Sequence, residues 1–158
     1  MQLLLLRHGK AEDDSLGGDF TRELKEKGHE QARHAARILA AADLLPDLVL
    51  SSPVIRAKQT ANTFTAAAGM PGPIFLDWLA CGMSPESALA ELGHFPEFER
   101  IMIVGHEPDF SRLISHCLGG SAEIEIRKGS ITCLDLRPPS PRATLRFLLP
   151  HKLAKHLD

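Results

Sequence analysis

Three short stretches of this chain concentrate side chains suited to holding and transferring a charged group. Arg7-His8-Gly9 follows an apolar run, Ser51-Ser52-Pro53 is followed at once by Arg56, and Gly105-His106-Glu107-Pro108 closes a third apolar run. Arginine presents a planar fork of donors that matches phosphate oxygens, and histidine changes charge near neutral pH. Two arginines and two histidines brought together would make a site for a phosphate dianion. Arg22 could reach such a site from a loop. Taken alone, each residue has a plainer reading: His8 as a satisfied structural histidine, Arg56 as a solvated helix residue, Ser51 and Ser52 as caps. His29, His34, His94, His116, His151 and His156 read as surface or packing residues. No His/Cys/Asp grouping has metal-ligand spacing, so neither a metal nor a cofactor is expected.

The elements between these stretches must bring them together. Gln2–Leu6 reads as a buried strand, and a helix with Leu24, Gly28, Ala32, Ala35, Leu39 and Ala42 on one stripe lies between Thr21 and Ala42. Asp47–Leu50 is a second strand. Ser52-Pro53 then signals a capping serine and a proline at the first helical position, opening a helix that ends at Gly69-Met70-Pro71. A short strand at Ile74–Leu76, a helix capped by Ser84-Pro85-Glu86, and a strand at Arg100–Val104 follow. Pro108 opens a helix with Phe110, Leu113, Ile114 and Cys117 at helical spacing. Ile131–Leu136 and Ala143–Leu148 make a final antiparallel pair. Alternation of this kind predicts a three-layer α/β sandwich with a mainly parallel sheet. Such sheets bind ligands at the carboxyl ends of their strands, which is where Arg7-His8, Ser51-Ser52 and His106 fall. Backbone N–H groups at two helix starts would aim at the same place.

Bulk properties narrow the partners. The chain has 158 residues, 44% hydrophobic and 24% charged, with a formal net charge of -2, as expected for one globular domain spanning 1–158. A basic excess for nucleic acid is missing, and so is an apolar stretch long enough for a membrane span or leader. Cys81, Cys117 and Cys133 are too scattered for a disulfide framework, so a reducing cytoplasm is the expected compartment.

The same three stretches resemble the motifs of the histidine phosphatase superfamily, whose fold is called phosphoglycerate mutase-like. Leu3-Leu4-Leu5-Leu6-Arg7-His8-Gly9, the run from Ser51 to Ala61, and Val104-Gly105-His106-Glu107-Pro108 match in order and spacing. The short length, the Arg-His-Gly-Lys-Ala-Glu start and Leu153-Ala154-Lys155 are similar to the SixA phosphohistidine phosphatase group. Glu23 and Lys25 depart from the commoner pattern of a proline and a capping threonine.

The resemblance implies a mechanism. Neutral His8 attacks phosphorus and becomes a phosphohistidine, while Arg7, Gly9, Arg56 and His106 hold the phosphoryl group, and water then hydrolyses the intermediate. A backbone carbonyl near Gly9 would fix the His8 tautomer, and Gly9 would let the chain turn tightly beside the phosphate. Glu107 or Asp77 would be the general acid, with capping of the next helix as the plainer role for Glu107. The expected activity is a metal-independent phosphatase. Its substrate would be a phosphohistidine on a protein, presented to an open site without a lid, or alternatively a small phosphate ester. A non-catalytic phosphate binder is disfavoured because all four core residues are present.

Overall fold

A computed structural model describes residues 1–157. Strands β1 (Gln2–Arg7), β2 (Leu48–Ser51), β3 (Ile74–Phe75), β4 (Arg100–Gly105), β5 (Ile131–Leu136) and β6 (Ala143–Leu149) form one sheet in the order β3-β2-β4-β1-β5-β6. The first four are parallel; β5 and β6 are antiparallel, as the sequence predicts for the last pair. Helices α1 (Glu26–Ala41), α2 (Ile55–Ala68), α3 (Pro85–Leu92), α4 (Asp109–Cys117) and α5 (His151–Ala154) complete the described residues.

The four consecutive leucines of β1 show why this is a three-layer sandwich. Side chains alternate across a strand, so Leu4 and Leu6 point one way and Leu3 and Leu5 the other. Leu4 and Leu6 join Met102, Val104, Leu39 and Phe64, the core under α1 and α2. Leu3 and Leu5 join Ile101, Ile103, Leu92 and Phe110, the core under α3 and α4. All four leucines are fully buried, each contributing about 1.5–3 kcal/mol. Both faces are covered, so the strand has no polar alternate positions. Among the described residues no helix is long and apolar enough to cross a membrane.

Register places the site. Arg7 lies beside Gly105, and Ser51 beside Val104, so the next residues, His8, Ser52 and His106, emerge level on one edge.

Two helix starts differ from the sequence expectation. Helix α1 begins at Glu26, and Lys25 at its N-cap makes no side-chain cap bond. Before it, Asp19–Thr21 form a 3-10 turn, and Leu24 pairs with Ala11. Backbone pairing sets this boundary instead: Lys25 N–H donates to the Lys10 carbonyl (2.9 Å), and Glu12 N–H to that of Glu23 (2.8 Å). Helix α2 begins at Ile55, with Val54 as its N-cap, so Ser52 is not its cap and Pro53 stands before it. Ser52 Oγ accepts from Val54 N–H (3.2 Å) in a local turn. Helix α3 follows expectation, Ser84 Oγ accepting from Ser87 N–H (3.1 Å). The short helix α5 carries no periodic signal; it packs on α1 and buries Ala154.

Candidate active site

His8 sits just past β1, where its backbone N–H donates to the Gly105 carbonyl (3.0 Å). Its Nδ1–H donates to the Gly9 carbonyl (2.9 Å), and Arg56 Nε–H points at its Nε2 (3.3 Å). Both contacts fit one tautomer, with the proton on Nδ1 and a lone pair on Nε2. Burial, above all, lowers the His8 pKa to about 3; the Gly9 bond opposes this, and His106, Arg56 and Arg7 add to it. At neutral pH the ring is therefore uncharged and nucleophilic at Nε2.

Arg56, the second residue of α2, is 4% exposed. Its Nη1–H donates to the Asp19 carbonyl (2.8 Å) and its Nη2–H to Asp19 Oδ2 (3.2 Å). Thr60, one turn on, donates to the Arg56 carbonyl (2.7 Å) and accepts from Gly9 N–H (3.1 Å). That hydroxyl ties α2 to the loop carrying His8.

His106 follows β4, with its Nε2 2.8 Å from Ser52 Oγ. Because Ser52 Oγ already accepts from Val54, its own proton can go to Nε2, leaving the imidazole proton on Nδ1. That nitrogen is buried with no protein partner among the described residues. Burial, then Arg56, lowers the His106 pKa to about 4, with Asp19 opposing and Arg7 assisting. The His8 and His106 ring centroids are 5.3 Å apart. Arg7 Nη1–H donates to the Ile126 carbonyl (2.6 Å), while its Nε is buried without a protein partner. Burial lowers the Arg7 pKa, Glu107 works against that, and Arg56 adds to it. Unmet buried donors are costly unless an acceptor completes them. Two of them, with the neutral His8 ring close by, are donors that an anionic acceptor would complete.

The structure thus brings His8, Arg7, Arg56 and His106 together. The other expected residues divide. Gly9 adopts no positive φ; a Cβ there would lie 2.6 Å from the Gly28 carbonyl oxygen. It is needed because α1 passes close, which replaces the tight-turn reading. Glu107 lies near Arg7, but its Oε1 accepts from Ser111 N–H (2.9 Å), the capping contact. Asp77 is exposed at the start of a 3-10 turn beyond β3 whose Leu79 is buried. Ser51 Oγ–H donates to the Ser52 carbonyl (3.0 Å). Arg22 reaches the site through a third residue, pairing with Asp19 Oδ1 (2.8 Å).

Sequence reasoning missed Asp19 and Thr60. Thr60 is discoverable, since four residues after Arg56 on a helix is the same face. Asp19 lies in an aperiodic polar loop, and its three-residue separation from Arg22 is a weak cue. Burial works to raise its pKa, but Arg56 and Arg22 prevail and hold the carboxyl below its usual value. Asp19 itself stays largely exposed, on a turn that buries no residue. The loop between β1 and α1 lies over Arg56, and His8, Arg56 and His106 are all buried. His29, bonded to Thr63 (2.8 Å), and His94 and His116, beside Glu91 and Glu86, keep structural partners.

The profile of the histidine phosphatase superfamily (branch 1) matches residues 3–77, the span containing Arg7, His8 and Arg56. An uncharacterized protein of Picosynechococcus is 34% identical over 112 residues, covering 69% of this chain and 68% of that protein. This chain belongs to the histidine phosphatase superfamily. As a member it is classed as a phosphatase, a hydrolase of phosphoryl groups. Its fold superposes on the protein histidine phosphatase SixA complexed with tungstate with a TM-score of 0.87, at 22% identity, over 96% of this chain and 98% of that one. The alpha-ribazole phosphatase of Shigella flexneri gives 0.77 at 23% identity, over 96% and 97%. At these identities the two likenesses establish the phosphoglycerate mutase-like fold. The chain spans 25–33% of the phosphoglycerate mutases it matches.

Proposed function

We propose that residues 1–158 act as one histidine phosphatase domain that hydrolyses phosphohistidine on a protein. The His8 Nε2 lone pair attacks phosphorus as the bond to the substrate imidazole breaks. Arg7, Arg56 and His106 hold the equatorial oxygens, while Gly9 spends its N–H on Thr60 and its carbonyl on His8. Water then attacks the phosphoryl group on His8, releasing inorganic phosphate and restoring the imidazole. The arginines supply the positive charge, so the scheme routes no step through a metal.

One observation carries the choice of substrate: the carboxyls around the site are engaged by the chain or exposed, the buried Asp109 among them accepting from Gly82 N–H (2.8 Å). Glu107 caps α4, Asp77 is exposed, and Asp19 is held ionised between Arg22 and Arg56. An alkoxide leaves with difficulty unless a strong acid protonates it. Imidazole, with a conjugate acid near pKa 6.5, needs far less help. The match to SixA along nearly the whole chain supports the same reading, and the three free cysteines suit a reducing cytoplasm.

A small-molecule phosphomonoesterase is the second reading, favoured by one fact: Glu107 lines the same concavity as Arg7. Turnover of a phosphohistidine peptide should exceed that of phosphate monoesters by about tenfold or more in kcat/KM. Glu107→Gln should keep phosphohistidine turnover within about tenfold, whereas an acid-dependent monoester reaction would fall by about 10²–10⁴. A monoester hydrolysed as well as phosphohistidine, and crippled by Glu107→Gln, would transfer the assignment to the second reading.

A further inference from the structure

A groove of about 580 Å³ opens directly from Arg7 and runs to α5. Seven of its ten lining residues are Lys or Arg, and among the described residues no Asp or Glu lines it, although the whole chain carries a net charge of -2. The charges come from separate segments: Lys10 after β1, Lys27 on α1, Arg127 and Lys128 before β5, Lys152 and Lys155 at α5.

The floor of this groove is built. Gln31 on α1 is 6% exposed. Its Oε1 accepts from Lys10 N–H (2.8 Å), and its Nε2–H donates to the Lys128 carbonyl (3.2 Å). One buried amide therefore fixes both lysine-bearing loops beside Arg7. Lys10 also pairs with the exposed Asp13 (3.3 Å), and Arg127 with Glu125 (3.0 Å). Lys128 holds its proton less firmly than usual, through burial first and then repulsion from Lys10, Arg7 and Arg22. A bound anion would relieve that repulsion.

On the other side of Arg7 the wall is acidic, with Glu107, Glu123 and Glu125. An anionic chain whose phosphoryl group sits at Arg7 is repelled on one side and attracted on the other. We propose that the basic groove docks an acidic stretch of the phosphorylated protein, so that the substrate is a phosphohistidine flanked by Asp and Glu side chains. This rests on the phosphohistidine reading above. Spaced lysines on four segments are compact point charges, matching several separated carboxylates; a small polyphosphate would instead call for converging arginine forks. Surface charge of this kind steers association and sets orientation.

Two measurements test it, using Lys27→Gln/Lys152→Gln/Lys155→Gln, three exposed changes outside the phosphate site. The first is fluorescence anisotropy of a labelled, unphosphorylated Asp/Glu-rich peptide. The second is kcat/KM for phosphohistidine in acidic peptides, in neutral peptides and as the free amino acid. The wild type should bind the acidic peptide and prefer the acidic substrate by about tenfold, the combined worth of three exposed charge pairs. That preference should fade as salt is raised. The triple variant should lose it through KM, with kcat and free phosphohistidine turnover unchanged. Equal turnover of acidic and neutral peptides would overturn the docking proposal. So would displacement of inorganic triphosphate, but not of the peptide, by the triple change. Peptide binding without turnover of free phosphohistidine would uphold the groove and remove the phosphohistidine reading. Turnover of free phosphohistidine without peptide preference would do the reverse.

Discussion

The two edges of the sheet are built from similar parts and are used differently. At the amino-terminal edge a concavity of about 840 Å³, larger than the two of about 580 and 500 Å³ that Arg7 lines, is lined by Met1, Arg100, Asp135 and Arg142 among others. There Arg100 is satisfied by the chain itself: Nε–H donates to Gln2 Oε1 (2.7 Å) and Nη1–H to the Leu45 carbonyl (3.0 Å), while its backbone N–H donates to Asp47 (2.8 Å). At the carboxyl-terminal edge Arg7 Nε and His106 Nδ1 are buried without protein partners. Size does not mark the site. Arg100 spends Nε and Nη1 on the chain and acts as a staple; Arg7 keeps a buried Nε donor in reserve, and Asp19 holds Arg56 against His8.

The largest expected effect lies at the nucleophile. His8→Ala should lower turnover by at least ~10³, the scale for removing one member of a catalytic unit. A brief reaction with labelled substrate, quenched without acid, should trap phosphate on His8 of the wild type. Activity near wild type in His8→Ala would break the contrast between the edges at its centre.

Next comes the arginine pair. Arg56→Ala should cost about 10²–10³ in kcat/KM, as for loss of a preorganised donor to developing charge, and should weaken competitive inhibition by vanadate. Arg100→Ala should leave kcat/KM nearly unchanged and instead lower stability by about 1–3 kcal/mol, through unmet acceptors at the opposite edge. Parallel denaturant titrations and kinetics on both variants decide this. A kinetic loss for Arg100→Ala matching that for Arg56→Ala would erase the distinction.

The smallest effect concerns protons. His8 and His106 are held at about 3 and about 4, below their ordinary 6.5. Between those values the unfolded chain binds more protons than the folded one. Their neutral state thus costs nothing above pH 6.5, and stability falls as pH drops toward 4 and then 3. The loss is at most about 1.4 kcal/mol per pH unit for each histidine. Denaturant midpoints recorded from about pH 7 to about pH 4.5 should slope less in His8→Ala and His106→Ala than in the wild type. An unchanged slope would show that these rings are protonated in the fold.

Much of this was legible before any coordinates. Leu3–Leu6 and Arg100–Val104 announce strands covered on both faces, and Ser84-Pro85 announces a helix start that the structure contains. Arg7, His8, Arg56 and His106 meet because strand ends in a parallel sheet share one edge. What escaped was set by tertiary contacts without local periodicity. Helix α1 starts where Lys25 pairs with Lys10. Ser52 leaves its expected cap to hold His106, and Asp19 finds Arg56 across 37 positions of chain. Glu107 was legible in both its roles at once, and the Ser111 contact favours the plainer one.

The close passage of Gly9 over Gly28 ties two kinds of inheritance together. A Cβ on Gly28 would stand 2.3 Å from the Lys10 carbonyl oxygen, and one on Gly9 2.6 Å from that of Gly28. The peptide joining Gly9 to Lys10 carries the Gly9 carbonyl, which accepts the hydrogen bond from His8 Nδ1–H. A side chain in the first turn of α1 would therefore press on the peptide that carries the Gly9 carbonyl and the His8 hydrogen bond. For a lineage under drift, Gly28 is a buried position where the space left for a side chain and the placing of His8 are inherited together.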